Sequence, residues 1–98
     1  MIITIDGSTI EYLEKMYQRR GFTVHKIKTE SEHFEQTVAG LKPFETRLND
    51  RNYKIGDICI QCEWKNNEYT GRYLIGCIIY MNNFKLQEGY ITFTFEQF

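Results

Sequence analysis

Between Gly40 and Arg51 the chain reads Gly-Leu-Lys-Pro-Phe-Glu-Thr-Arg-Leu-Asn-Asp-Arg, with Gly56-Asp57 five residues beyond. Two arginines, a lysine, a glutamate and an aspartate crowd a glycine turn at the junction of a helix and a strand. No packed core needs that density of charge, so the segment must lie where a sheet meets solvent. Pro43 presets an extended start. Glu45 and Arg47 stand two residues apart and therefore share one face of a strand, with Phe44 and Thr46 on the other. Phe44 is expected inside and the charged pair outside.

The length of 98 residues fits one domain and leaves no room for a second core. Hydrophobic content of 42%, with 15% aromatic, is enough for a packed interior. A net charge of −1 makes unspecific attraction to phosphate backbones weak, so nucleic-acid binding would have to come from a local basic cluster. No apolar run approaches a membrane span and no leader pattern is present, so the expected setting is cytoplasmic, away from membranes. Three cysteines include Cys59-x-x-Cys62. On an alternating strand the two sulfurs point to opposite sides, whereas a zinc pair needs a tight turn on which both converge. Buried thiols, no metal and no cofactor are expected.

Along the chain, Met1 to Ile5 is a short β-branched run ending in the turn Asp6-Gly7. Ser8-x-x-Glu11 then has the form of a capping box, and Ile10, Leu13, Met16 and Tyr17 recur at helical spacing before Gly21. Phe22 to Lys28 reads as a strand with His25 and Ile27 on one face. Thr29-x-x-Glu32 is a second capping box, opening a helix that carries Phe34 and Val38 inward and closes at Gly40. After the charged strand, Ile55-Gly56-Asp57 bends into a strand from Ile58 to Trp64. Lys65-Asn66-Asn67-Glu68 makes a hairpin with a strand from Thr70 to Tyr80. The last strand, from Tyr90, turns Ile91, Phe93 and Phe95 inward. Several short strands with little helix between them predict an α+β chain built on a small β-barrel of five to six strands.

A glycine closing a helix, then lysine, then Glu-x-Arg on the following strand resembles the ASCH domains of the PUA-like superfamily. The pattern extends through His25, Lys28, Phe34, Gly40-Leu41-Lys42, Phe44-Glu45, Arg47, Asn49-Asp50-Arg51, Gly56-Asp57, Glu63-Trp64, Tyr69-Thr70-Gly71-Arg72 and Glu88-Gly89-Tyr90. The chain looks similar to a compact ASCH-like family of unassigned function found in bacteria and their phages. Residues 25–98 would form the barrel with its one family helix, and residues 1–24 an added strand and helix. Pro43 departs from a usual threonine and Thr46 from a usual aliphatic residue.

The resemblance implies a cleft at the barrel mouth that holds a nucleotide, a modified base or an RNA segment, and a binding module is the leading reading. Lys42 would meet a phosphate or a polarised carbonyl as a point charge. Arg47 offers a planar fork to a phosphate or a base edge, and Glu45 accepts from an exocyclic amine. Arg51 and Arg72 would add basic charge along a phosphate path. Tyr69, in a turn, is the ring most open to stacking, while Trp64 fits the core better; His25 and His33 read as structural. An amidohydrolase acting on a modified nucleoside is a second reading, with Lys42 as base and Glu45 as acid. It lacks the hydroxyl that such chemistry uses, since Thr46 faces away from Glu45. A third reading is a phage-encoded interaction or inhibitor protein directed against host defence, in which residues 1–21 dock on a host protein through Ile10, Leu13 and Tyr17.

Overall fold

The computed structural model describes residues 3–4, 7–41 and 44–98. The elements are β1 (Ile3–Thr4), α1 (Gly7–Arg19), β2 (Val24–Glu30), α2 (Ser31–Val38), β3 (Phe44–Leu48), β4 (Ile58–Lys65), β5 (Glu68–Asn82) and β6 (Tyr90–Gln97). The sheet order is β2-β4-β5-β6-β3, with β1 added antiparallel to β5. β2 and β4 run parallel and the remaining neighbours antiparallel. Ile27 of β2 shares a cluster with Ile91, Phe93 and Phe95 of β6, although β4 and β5 separate those strands in the sheet. Such a contact requires curling. The five long strands form a half-barrel, open between β2 and β3, and the chain is a small α+β domain with two helices.

β4 explains most of the interior. Six consecutive residues, Ile58 to Glu63, are buried, as expected of a strand covered on both faces. Cys59 lies in the concave cluster with Ile27, Tyr53, Ile78, Ile91, Phe93 and Phe95. Ile60 and Cys62 lie in the convex one with Tyr73, which α1 covers through Ile10 and Leu13. The two sulfurs of Cys59-x-x-Cys62 thus belong to different faces, as strand alternation requires. The apolar stripe of α1 packs against its own chain.

Both helices end on a glycine in the left-handed region that a side chain would strain. Gly21 (φ 92°) and Gly40 (φ 76°) each close a Schellman motif. Their own N–H groups reach Gln18 and Thr37, while the N–H groups of Phe22 and Leu41 reach Tyr17 and Gln36. The β4–β5 hairpin turns on Asn66 and Asn67, both at positive φ, between the paired residues Lys65 and Glu68. This is the two-residue turn that suits strand twist.

Two expectations are corrected. The capping box at Thr29 does not form: Thr29 is the last inward residue of β2, and Glu30 occupies the N-cap position without a side-chain cap bond. The Ser31 hydroxyl turns to Glu63 instead. On β3 the alternation is right but its phase is reversed. Glu45 pairs with Phe93 and Arg47 with Ile91, and both partners point into the half-barrel, so the charged pair faces inward. Phe44 and Leu48 lie outside, 42% and 48% exposed. The reversal is tolerated because β3 is a terminal strand, where an inward charge still reaches the open mouth.

Candidate functional site

Among the described residues, the outer edges of β2 and β3 face each other across a cleft of about 260 Å³ lined by Lys28, Thr29 and Glu30 on one side, all four residues from Phe44 to Arg47 on the other, and His33 of α2. β2 presents Thr29 here because its inward residues are His25, Ile27 and Thr29. Thr29 is 4% exposed, and its Oγ1 has no hydrogen-bond partner among the described residues. One rung along the β2–β4 ladder, Gln61 is buried on the same concave face, with its Nε2 likewise unsatisfied. A buried polar atom left unpaired costs roughly 1–3 kcal/mol. Both belong to the concave face of the sheet, and Thr29 alone of the two lines the cleft.

Arg47 Nε stands 3.7 Å from Glu45 Oε1, with the side chains 31% and 15% exposed. The pair offers a guanidinium fork and a carboxylate side by side, so it can donate to and accept from one planar ligand edge. Arg51 reaches across the opening and donates from Nη1 to the Lys26 carbonyl at 2.5 Å, occupying an edge acceptor of β2. Deeper in, Asp57 Oδ2 accepts from His25 Nε2 at 2.7 Å and from the Lys54 N–H at 3.0 Å. A carboxylate only accepts, so the His25 proton on that side lies on Nε2. The imidazole rests 4.5 Å from the Tyr53 ring, which in turn packs 5.0 Å from Phe93.

The interior is hostile to charge. Burial pushes the Cys59 thiol up to about 12, with Asp57 and Glu45 adding to the effect and Arg47 opposing it. Burial likewise raises the Tyr53 phenol, against the pull of Arg47 and Arg51. A thiol held protonated at neutral pH is no nucleophile, so Cys59 is a packing residue.

The residues singled out in the sequence divide accordingly. Glu45 and Arg47 come together in the cleft, whereas Arg51 is not among its lining residues and bonds the Lys26 carbonyl. Lys42 and Pro43 lie outside the described residues. Tyr69 is 60% exposed but packs edge-on against Trp64, which carries Lys28 Nζ 3.9 Å from its ring centre. That aromatic pair does not line the cleft. Arg72 is engaged structurally: 2.7 Å from Glu35, 3.6 Å from Glu63 and over the ring of Phe34. Thr46 bonds Thr92 on the outer face, at 2.7 Å and away from Glu45. Thr29, the His25–Asp57 pair and Glu63 were not singled out as site residues. Alternation placed His25 beside Ile27 on one face of a strand, and a titratable residue sharing a face with an apolar one is the signal that identifies it.

A family model described as "Domain of unknown function (DUF3850)" matches residues 24–95. The chain belongs to this family. The DUF3850 match begins at the first residue of β2 and ends within β6, so it contains the cleft and leaves β1 and α1 outside. An uncharacterized 12.9 kDa protein in the GpA 3' region of Escherichia phage P2 is 39% identical over 49 residues. That segment covers 50% of this chain and 45% of the phage protein, so the match spans less than half of that relative's length. Among the described residues no helix is long and apolar enough to cross a membrane, and no group of three or more His, Cys, Asp or Glu side chains is placed to hold a metal ion.

Proposed function

We propose that this DUF3850 domain is an ASCH-like binding module that holds a nucleotide, a modified base or an RNA segment in the cleft between β2 and β3. The observation that carries the reading is the inward Glu45–Arg47 pair, set at a cleft whose wall includes the buried, unpartnered hydroxyl of Thr29. A base edge bearing an exocyclic amine beside a ring acceptor satisfies carboxylate and guanidinium together. Thr29 then gains a partner that the apo fold does not supply. The volume of about 260 Å³ suits one base or nucleoside rather than a duplex, whose recognition relies on a broad basic surface that a net charge of −1 does not provide.

The test is native mass spectrometry of protein purified without a refolding step, followed by denaturation and identification of what is released. Calorimetric titration of the identified compound into wild type and Arg47→Ala follows. A released nucleotide, base or short RNA whose affinity falls at least tenfold in Arg47→Ala supports the module. A ligand that binds the variant undiminished, or no ligand from native protein and no heat with mononucleotides, refutes it.

A further inference from the structure

The convex face of the sheet is covered unevenly. α1 packs over Ile60, Cys62 and Tyr73 through Ile10 and Leu13. Beyond it, the outer faces of β3, β6 and the second half of β5 stay open, and Phe44, Leu48, Tyr80 and Tyr90 are 38% to 58% exposed. The ladder sets these residues side by side: Phe44 pairs with Thr94 and Thr94 with Tyr80, Thr46 with Thr92 and Thr92 with Asn82, and Leu48 with Tyr90. Paired residues share a face of the sheet, and the Thr46 and Thr92 hydroxyls meet on this one at 2.7 Å. Met81, between Tyr80 and Asn82, packs on the inner cluster, so its two neighbours point outward.

None of these outward side chains is charged, and the first charge met along β6 on this face is Glu96. On β2 the same chain shows what a strand face turned to water looks like: after Val24 its outward residues are Lys26, Lys28 and Glu30, all exposed. Aromatic, aliphatic and threonine side chains spread over three adjacent strands instead form a patch of the kind that another surface covers. The four large side chains and their threonine and asparagine neighbours leave roughly 600 Å² accessible, taking about 200 Å² for one whole aromatic side chain. Two such faces in contact would bury about 1,200 Å², the lower bound of specific interfaces. An uncharged face is electrostatically complementary to itself, while it offers the charges of an unlike partner nothing to pair with. A net charge of −1 adds little repulsion between copies.

We infer that the outer face of β3, β6 and the second half of β5 is a self-association surface, on which a second copy of this chain packs sheet to sheet as a weak dimer. The inference is independent of the function proposed for the cleft, which neither Leu48 nor Tyr80 lines. The test is sedimentation velocity of the full-length chain over a concentration series reaching ~1 mM. A reversible shift from 11.8 kDa to twice that mass is expected, with a Kd between ~1 and ~100 µM for so small an interface. Leu48→Lys and Tyr80→Lys each place a charge within the contact. Both positions are exposed, so both variants should keep the wild-type circular dichroism while weakening the dimer at least tenfold. Tyr12→Lys replaces a ring that is as exposed but lies on α1, outside this face, and should dimerise as wild type. A chain still monomeric at ~1 mM, which would leave the face to a partner of another kind, overturns the inference. Dimerisation undiminished in both the Leu48 and Tyr80 variants, or an equal loss in Tyr12→Lys, would overturn it as well.

Discussion

Glu63 is 2% exposed in the middle of the sheet, yet it is a carboxylate, and its surroundings make it a decisive position to perturb. Ser31 Oγ donates to Oε2 at 2.8 Å and Thr70 Oγ1 donates to Oε1 at 2.6 Å. Arg72 Nε stands 3.6 Å from Oε1. These contacts tie the start of α2 to β4 and β5. Burial alone would raise its pKa, but the two hydroxyls and Arg72 outweigh it and hold the carboxyl below its ordinary value of 4.5. Glu63→Gln keeps the shape and one acceptor oxygen while removing the charge. Hydrogen bonds to charged groups contribute roughly 1.5–3 kcal/mol each, and Gln retains one in neutral form, so a loss of about 2 kcal/mol is expected. For a domain of this size that corresponds to a melting-temperature drop of roughly 10 °C. Because the folded pKa is depressed, the contribution is complete above pH 4.5 and disappears as pH falls through the folded value. Urea unfolding of both proteins at pH 7 and at successive steps below 4.5 measures it: the gap between them should close on acidification. A gap under 0.5 kcal/mol at pH 7, or one that is independent of pH, would refute the role assigned to the charge.

Other sites test other parts of the structure. At Gly76 an added Cβ would sit 2.7 Å from the Glu96 carbonyl oxygen on the neighbouring strand, so Gly76→Ala must part β5 from β6. A cost of about 1–3 kcal/mol in thermal unfolding is expected, and an unchanged melting temperature contradicts the close approach. Asp57→Ala strands both the His25 Nε2 proton and the Lys54 N–H, and should lower the urea-derived stability by about 3 kcal/mol; a loss under 1 would mean that the pair is dispensable. Burial raises the Cys59 and Cys62 thiols to about 12 and about 11, so iodoacetamide at pH 8, mapped by mass spectrometry, should leave both unmodified until the protein is unfolded. Rapid alkylation of either in native buffer would show that its face is open.

The sequence carried the punctuation of this fold better than its phase. Gly21, Gly40 and Asn66-Asn67 each demand a backbone conformation available to few residues, so the helix ends and the hairpin turn could be read directly. Alternation separated Cys59 from Cys62 correctly because β4 is covered on both faces and the assignment needed only period two. On β3 the same period gave the wrong side. Phe44 and Leu48 are more apolar than Glu45 and Arg47, and a local reading places the apolar set inside. The sheet order reverses this by making β3 terminal and registering its charged pair opposite Phe93 and Ile91. Such a choice is non-local and leaves no trace within five residues. The same holds for Arg72, which a turn-based reading left free for phosphate, whereas Glu35 and Glu63 claim it from other elements.

The misread phase of β3 and the unsatisfied atoms of the interior point to one physical consequence. A half-barrel has two terminal strands whose inward faces meet across a gap, and here those faces carry Thr29 on one side and Glu45 with Arg47 on the other. In a closed barrel the same residues would be dry and costly. In the open form they are affordable only while the gap admits water or a guest that pairs with them. A guest that satisfies Thr29 and the charged pair binds the folded chain and not the unfolded one, so its free energy adds to stability as RT ln(1 + [L]/Kd), about 2.7 kcal/mol at a hundredfold excess over Kd. The melting temperature should therefore rise with ligand concentration in wild type. Arg47→Ala and Thr29→Val, which remove polar groups at the gap, should melt close to or above wild type without ligand and respond less to it. If both variants are destabilised without ligand by more than 2 kcal/mol, these polar groups serve the fold rather than a guest, and the cleft loses its claim to be a binding site.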